Sequence, residues 1–500
     1  VNAQESICNH LEKLMNKMKT VICLAVASAL QVLSATAGAQ ELAEASRGAV
    51  LDAVRKAVAN SPEVQASWHG YRAATAARDV ARGGFFPRID LNAGLGHRWR
   101  HKDPDTGKAD WDSSGVGLDL NQMIYDGFAT SSEVKRMGYS RLKSYYELLN
   151  TSEIVGLEVV QAYADVQRQR ELVEAAKANY ATHKQLYDRL NDRAAAGVSR
   201  RVDLDQATGR LSLAESNLLT ELSNLHDVSA RYQRLVGDVP PDAMPPVAES
   251  FNGVQLPENV VAALNVAYVN SPSFNAAIEN VRASMANRDI ARSNYHPKLN
   301  LHASTGIDRV SKDNPDYTNK GNRRESTVEL LLNFNIFRGG SDAARVRQAG
   351  EEINQARDLR EKACRDLRQT LVIAYQDTRS LNEQLVYRER HLLMTGKARE
   401  AFRDQFNIGQ RTLLDLLDTE NEYFVSQRAF TNAQYDLLVA QARTLAGTGQ
   451  LLRTLGVVRE GLPSAQEIGQ DRETVDPADM CPADAPVQVE VDKGQLLVPR

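Results

Sequence analysis

Two periodicities divide this chain. Ile89, Leu91, Ala93 and Leu95 alternate with Asp90, Asn92, Gly94 and Gly96. The same alternation sets Val116, Leu118 and Leu120 against Gly117, Asp119 and Asn121, and Leu299, Leu301 and Ala303 against Asn300, His302 and Ser304. A last run sets Val328, Leu330, Leu332, Phe334 and Ile336 against Glu329, Leu331, Asn333 and Asn335. A period of two puts apolar and polar residues on opposite faces of a strand. Four strands are predicted, over about 88–100, 113–125, 297–309 and 325–337, with the length and alternation of outer-membrane strands. Elsewhere the period is helical. From about Ala129 to Ala196 no proline intervenes, and Ile154, Leu157, Val160, Ala164 and Leu172 mark one face. Ala343 to Asn407 does the same with Leu367, Leu371, Ala374, Leu381 and Leu385. Such runs would span about 100 Å each. They end at Gly197 and Gly409, where a glycine can take the positive φ that closes a helix. Return helices are predicted over about 203–236 and 413–447. The apolar stripes are narrow and alanine-rich, which predicts coiled-coil walls.

The whole pattern occurs twice. Asn60-Ser61-Pro62 returns as Asn270-Ser271-Pro272, and Arg78-Asp79-Val80-Ala81-Arg82 returns as Arg288-Asp289-Ile290-Ala291-Arg292. Each Ser-Pro pair places a capping residue and a first-turn proline at a helix start. The spacing far exceeds the roughly 20–50 residues of a solenoid unit, so it marks a duplicated half. The first structural repeat is placed at 40–236, a Pro-rich linker at 237–256, and the second repeat at 257–456. Tyr232 to Gly237 realigns with Leu451 to Gly456 only with seven further residues inserted. The second return helix is therefore expected to carry one extra heptad, which keeps its seam in phase.

Residues 1–39 read as a signal peptide, with Met18 the expected initiator, Val21 to Leu33 the apolar segment and Ala37-Gly38-Ala39 the cleavage site. Beyond it no apolar run is long enough for a helical membrane span, which leaves a β-barrel as the route across a bilayer. A net charge of −4 offers no basic field for nucleic acid. Cys8 and Cys23 fall within the leader; Cys364 and Cys481 remain, and no disulfide framework is indicated. The acidic tail over 457–500 has no apolar period and is expected to be disordered.

Alternation alone fits a sheet on a soluble core equally well. The aromatic residues favour a barrel. Trp99 and Trp111 flank the first polar loop, at 101–112, while Phe85, Phe86, Tyr125, Phe128, Tyr295 and Phe337 gather at the opposite strand ends. Two such girdles mark the two interfaces of a membrane. Four strands cannot close, since the smallest bacterial barrels have about eight. The barrel must be shared between copies of the chain.

From about Leu42 to Gly456 the chain resembles the TolC family of trimeric outer-membrane export ducts. The strongest piece is Gly409-Gln410-Arg411-Thr412-Leu413-Leu414-Asp415-Leu416-Leu417-Asp418, similar to the family's second periplasmic turn. The resemblance implies a mixed α and β fold: a homotrimeric, twelve-stranded transmembrane β-barrel continued by a helical coiled-coil tunnel in the periplasm. It implies a passive duct, not an enzyme, working without cofactors and embedded in outer-membrane lipid. Its expected partners are a periplasmic adaptor and an inner-membrane transporter. The chain looks like the type I secretion branch, where that transporter is an ABC exporter of large proteins. The alternative within the fold is a multidrug efflux duct serving a proton-driven pump. A trimeric coiled-coil adhesin or scaffold is disfavoured, because helices follow both strand pairs.

No catalytic motif or metal-ligand spacing is present. Asp415 and Asp418 lie one helical turn apart. By spacing they fit either an acidic first turn suited to the helix dipole or two stacked carboxylate rings in an oligomer. The resemblance implies the rings, at a cation-binding periplasmic constriction. It also implies a gate link between Arg411 and Asp203. Phe406 stands where the family commonly has a tyrosine, so the link lacks that hydroxyl.

Overall fold

The computed structural model describes residues 48–101, 108–197, 200–251, 254–310, 321–457, 461–464, 467–468, 481–482 and 484–486. The expected leader lies outside them. Strands β1 (Arg88–His101), β2 (Lys108–Tyr125), β3 (Lys298–Val310) and β4 (Gly321–Asn333) form one antiparallel sheet in sequence order. Paired residues share a face. Ile89, Leu120, Ala303 and Val328 make one row across all four strands, and Arg88, Asn121, His302 and Glu329 make the next row on the opposite face. The four alternating patterns are thus in phase. One face is a continuous exposed apolar surface, far larger than water tolerates on a monomer, and β1 and β4 are both open edges.

The hairpins differ in extent from the sequence pattern. β2 and β4 begin earlier than predicted, because backbone pairing runs through polar residues to His101–Lys108 and Val310–Gly321. Apolar alternation marks only part of each strand. β4 stops at Asn333, paired with Lys298. Pro297, which has no N–H to give a ladder, precedes Lys298, so Phe334, Ile336 and Phe337 fall beyond the strand.

The helices are α1 (48–60), α2 (Pro62–Gly83), α3 (Ala129–Ala195), α4 (Arg201–Val236), α5 (Val260–Asn270), α6 (Pro272–Ser293), α7 (Ser341–Asn407), α8 (Leu413–Gly447) and α9 (Leu451–Thr454). α3 and α7 have 67 residues each, about 100 Å of helix. The turn from β2 into α3 depends on Gly127 (φ 73°), where a Cβ would lie 2.6 Å from His296 Cβ and 2.7 Å from Ser293 O. Asp126 then caps α3 by accepting from Thr130 N at 2.7 Å. Ser61 does not cap α2 with its side chain; its hydroxyl donates to Glu63 instead.

Near the sheet the helices lie in the order α2, α3, α6, α7; farther away the order is α4, α3, α8, α7. α4 ends where α2 begins, with Arg234 3.6 Å from Glu63. α8 ends against the start of α6, where Gly449 approaches Asn270 O and Pro272. Two apolar clusters sit at these joints, under α1, α5 and the linker. One gathers Val50, Val54, Val159, Tyr163 and Leu451. The other gathers Leu264, Tyr268, Phe274, Leu367 and Leu371. Within the linker, Val247 N donates to Gln167 at 2.9 Å, so its buried backbone is satisfied.

The extra heptad is not a heptad. α8 stops at Gly447, the chain turns at Gly449 (φ 66°), and α9 is a single turn. The turn clears the start of α6 and drives Leu451 and Leu452 into the first cluster. There Glu153 accepts from Leu452 N at 3.4 Å. Burial pushes the Glu153 carboxyl up to about 7, with the N–H groups of Leu452 and Leu451 opposing. A folded pKa above the unfolded value means stability is present at low pH and lost as pH rises through about 7. The loss is at most about 3 kcal/mol. Thermal unfolding from pH 5 to 8 should fall for the parent and flatten in Glu153→Gln. Equal slopes would show that Glu153 is ionised throughout.

The described part of the tail is packed, not disordered. Cys481 is bonded to Cys364 of α7 with a Cα–Cα distance of 5.9 Å, and both are buried. Tyr268 Oη donates to Pro482 O at 3.0 Å, and Arg368 lies 3.6 Å from Asp484. Ile468 is buried in the first cluster and its carbonyl accepts from Arg141. Two anchors, one covalent, hold a segment whose polar composition predicts no burial.

Candidate functional site

Both long helices end in the predicted glycines, Gly197 at φ 75° and Gly409 at φ 78°. The turns bring the starts of α4 and α8 to one tip. Leu186 and Leu190 of α3, Ala207 of α4, and Leu413, Leu416 and Leu417 of α8 form its core, with Phe406 packed against it. Phe406 therefore contributes packing at the tip.

Thr412 caps α8. Its hydroxyl accepts from Asp415 N at 3.2 Å, and Asp415 accepts from Thr412 N at 3.3 Å. This reciprocal pair is a capping box, and it fixes the Asp415 carboxylate at the helix start. Arg411 lies 3.8 Å from Asp415, stacks 4.1 Å from the Phe402 ring centroid and donates to Gln405 at 2.9 Å. Within one chain no ion pair joins Arg411 to Asp203 among the described residues. Asp203 sits half-exposed in the first turn of α4.

Asp418 is exposed and pairs with Arg210 of α4 at 2.5 Å. Two residues on, and on another face of α8, Glu420 is buried and held by Arg399 at 2.6 Å and Arg403 at 2.7 Å, both from α7. His183 of α3 is buried in the same layer. Burial holds its pKa down, the Arg210 charge adds to that, and Glu420 opposes it. Higher up, Glu221 of α4 is buried between Gln169 at 2.5 Å and Arg428 of α8 at 2.8 Å. Sequence reasoning missed Arg210, Glu420 and Glu221. Glu420 had a signal: Leu413, Leu416, Leu417 and Phe424 share its buried stripe at helical spacing.

At the other end, the expected aromatic girdles are partly corrected. Trp99 pairs with Asp110 and Trp111 with Arg98, so the two tryptophans lie on opposite faces. Trp99 is 78% exposed on the apolar face; Trp111 is 5% exposed on the polar face and belongs to no lipid girdle. Phe85, Phe86 and Phe337 are exposed at the helix-proximal end. Tyr125 follows a register shift and packs edge-on to Phe128 at 5.6 Å. The described residues include no group of His, Cys, Asp and Glu arranged to hold a metal.

The family described as outer membrane efflux protein (OEP) matches residues 53–238 and 263–450, one stretch on each half. The outer membrane efflux protein BepC of Brucella suis is 25% identical over 433 residues, covering 86% of this chain and 91% of that protein. The alkaline protease secretion protein AprF of Pseudomonas aeruginosa is 27% identical over 412 residues, covering 79% and 83%. A solved structure of CusC has the same fold, with a TM-score of 0.71 at 18% identity, covering 80% of this chain and 92% of that one.

Proposed function

The chain belongs to the outer membrane efflux protein family, and from that premise we propose that it works as a homotrimeric duct for type I protein secretion. Membership makes it an outer-membrane channel of tripartite export systems, not an enzyme. The trimer is supported by what one chain leaves open. β1 and β4 are unpaired edges, which hydrocarbon does not tolerate. α4 and α7 flank the lower helical layer and expose Leu213, Leu219, Val386, Tyr387 and Leu393. Three copies pair every edge, giving twelve strands and a ring of helices below. The partners are then a periplasmic adaptor and an ABC transporter in the inner membrane. The observation that favours secretion is the match to AprF, named for protease secretion, across 79% of this chain. A duct for small compounds is the second reading, favoured by the CusC relative, a cation efflux protein 21% identical over 330 residues.

In this assembly Asp415 and Asp418 form the periplasmic constriction, and Arg411 links to Asp203 of a neighbouring copy to hold it shut. An exposed link stabilises by only about 0–1 kcal/mol, but the trimer repeats it. The double variant Arg411→Ser, Asp203→Ala should raise single-channel conductance in planar bilayers severalfold while a heat-sensitive trimer persists. Phe406→Tyr should lower the resting conductance by restoring a hydroxyl. Unchanged conductance in the double variant would sink the gate assignment. For the secretion reading, loss of the chain should stop release of a large protein substrate of an ABC exporter. Sensitisation to small toxic compounds with secretion intact would favour the second reading.

A further inference from the structure

Asp415 and Asp418 are each met by a cation of their own chain. Asp415 has Arg411 at 3.8 Å and Asp418 has Arg210 at 2.5 Å. The second pair crosses between the halves, because Arg210 is on α4 and Asp418 on α8. Its placement has clear causes. Glu420, the nearest buried acid on α8, is already held by Arg399 and Arg403. His183 on α3 lies in the same layer, its pKa lowered by burial, with Glu420 opposing and the Arg210 charge adding to the shift. Asp418 is the carboxylate that Arg210 meets. A guanidinium does not lose its proton at any working pH, so the compensation is permanent. Farther up, Glu221 and Arg428 join the same two helices with the charges exchanged. The pair at 210 and 418 is thus the tip member of a crossed set.

We propose that Arg210 sets the cation selectivity of the constriction by neutralising the Asp418 ring from within each chain. The inference rests on the reading of Asp415 and Asp418 as that constriction. A trimer with both rings bare would present six carboxylates at the narrowest point. With Arg210 in place, the Asp418 ring, one turn farther from the tip than Asp415, is covered by three guanidinium groups at hydrogen-bond distance. Separations of a few ångströms are well inside the Debye length, so salt does not erase the effect. Arg411 stands 3.8 Å from Asp415, beyond hydrogen-bond distance, and in the proposed closed trimer it links to Asp203 of a neighbour, so the parent channel binds multivalent cations through the Asp415 ring mainly, and more weakly than its acid count suggests. Arg210 acts through Asp418 and is a positioning residue.

The test is block of planar-bilayer conductance by lanthanum(III) added on the tip side. Arg210→Gln should lower the half-blocking concentration about tenfold or more, since bare carboxylates at short range attract a trivalent ion strongly. Arg210→Lys, which keeps the charge, should stay near the parent. Adding Asp418→Asn to Arg210→Gln should return block to the parent level or weaker. A purely structural role for Arg210 predicts the opposite direction, because a loosened tip conducts more and binds the ion less tightly. Arg210→Met, which keeps the packing of the stem, reads the same way if the glutamine variant yields too little trimer. Unchanged block in Arg210→Gln, with block abolished in Asp415→Asn, Asp418→Asn, overturns this proposal and leaves the constriction standing. Block that survives the double asparagine variant overturns the constriction reading itself.

Discussion

Leu118→Arg should prevent assembly of the channel in the outer membrane, while Asn92→Arg should leave assembly intact. The two positions are close in the β1–β2 pair but on opposite faces. Leu118 pairs with Leu91 and with Thr305 on the apolar face. Asn92 pairs with Gly117 on the polar face and donates to Asp119 at 2.6 Å. An arginine facing lipid near the bilayer midplane costs about 2–4 kcal/mol, and a trimer incurs it in every copy. Asn92→Arg would replace the hydrogen bond to Asp119 with an ion pair to the same carboxylate. The measurement is the amount of heat-sensitive trimer in the outer-membrane fraction. Similar trimer levels for both variants would mean that the apolar face does not meet lipid.

The fold was legible where one physical demand governs many consecutive residues. Strand alternation and the proline-free helical runs are such demands. α3 and α7 end within two residues of the predicted positions, at glycines that take the expected positive φ. Legibility failed where structure depends on pairing with a distant segment. β2 and β4 extend through polar residues because the backbone of their hairpin partners continues, which side-chain alternation does not record. The turn at Gly449 exists because α6 starts there. A seven-residue insertion in a helical pattern preserves phase and gives no warning of a break. Cys364 and Cys481 are 117 residues apart, and nothing local distinguishes a cysteine in a helix stripe from one awaiting a partner.

The tip was legible in its parts and not in its electrostatics. Sequence spacing placed Asp415 and Asp418 one turn apart, and left open whether they formed an acidic first turn or a ring. In the structure Asp415 does serve as a capping acid, and a capping acid can still face a constriction. What no spacing revealed is that cations answer both carboxylates. Arg210 lies in a first-half helix and Asp418 in a second-half helix, so their meeting is a property of packing. Glu420 and Glu221 show the same logic in buried form. Each sits on an apolar stripe, where an unpaired carboxylate would be very costly, and each is held by arginine from another helix. Trp111 was misread for a related reason. Its position near a loop suggested a girdle, but the register with Arg98 decides its face.

Removing the Cys364–Cys481 bond should lower the stability of the assembled channel and free the tail. The bond closes a loop of 117 residues. In the chain-entropy account, a closure of that size stabilises by about 4–5 kcal/mol, and native disulfides typically contribute about 2–5. Both cysteines are buried among Leu264, Tyr268, Phe274, Leu367 and Leu371, so the double variant Cys364→Ala, Cys481→Ala keeps an apolar lining with little change of volume. Once the covalent anchor is gone, the polar contacts among the described residues that hold Pro482 and Asp484 are those of Tyr268 and Arg368, at a half-exposed surface. Those contacts cannot offset the entropy of the released segment. Ile468 should remain docked in the first cluster, because Arg141 and the surrounding apolar side chains hold it independently. Limited proteolysis should therefore cut the double variant, or the reduced parent, at the released segment around residues 481–486 while the trimer persists. Its heat-dissociation temperature should fall at the same time. Equal protease resistance and equal heat stability in parent and variant would show that packing alone secures the tail and that the disulfide contributes nothing to the assembled channel.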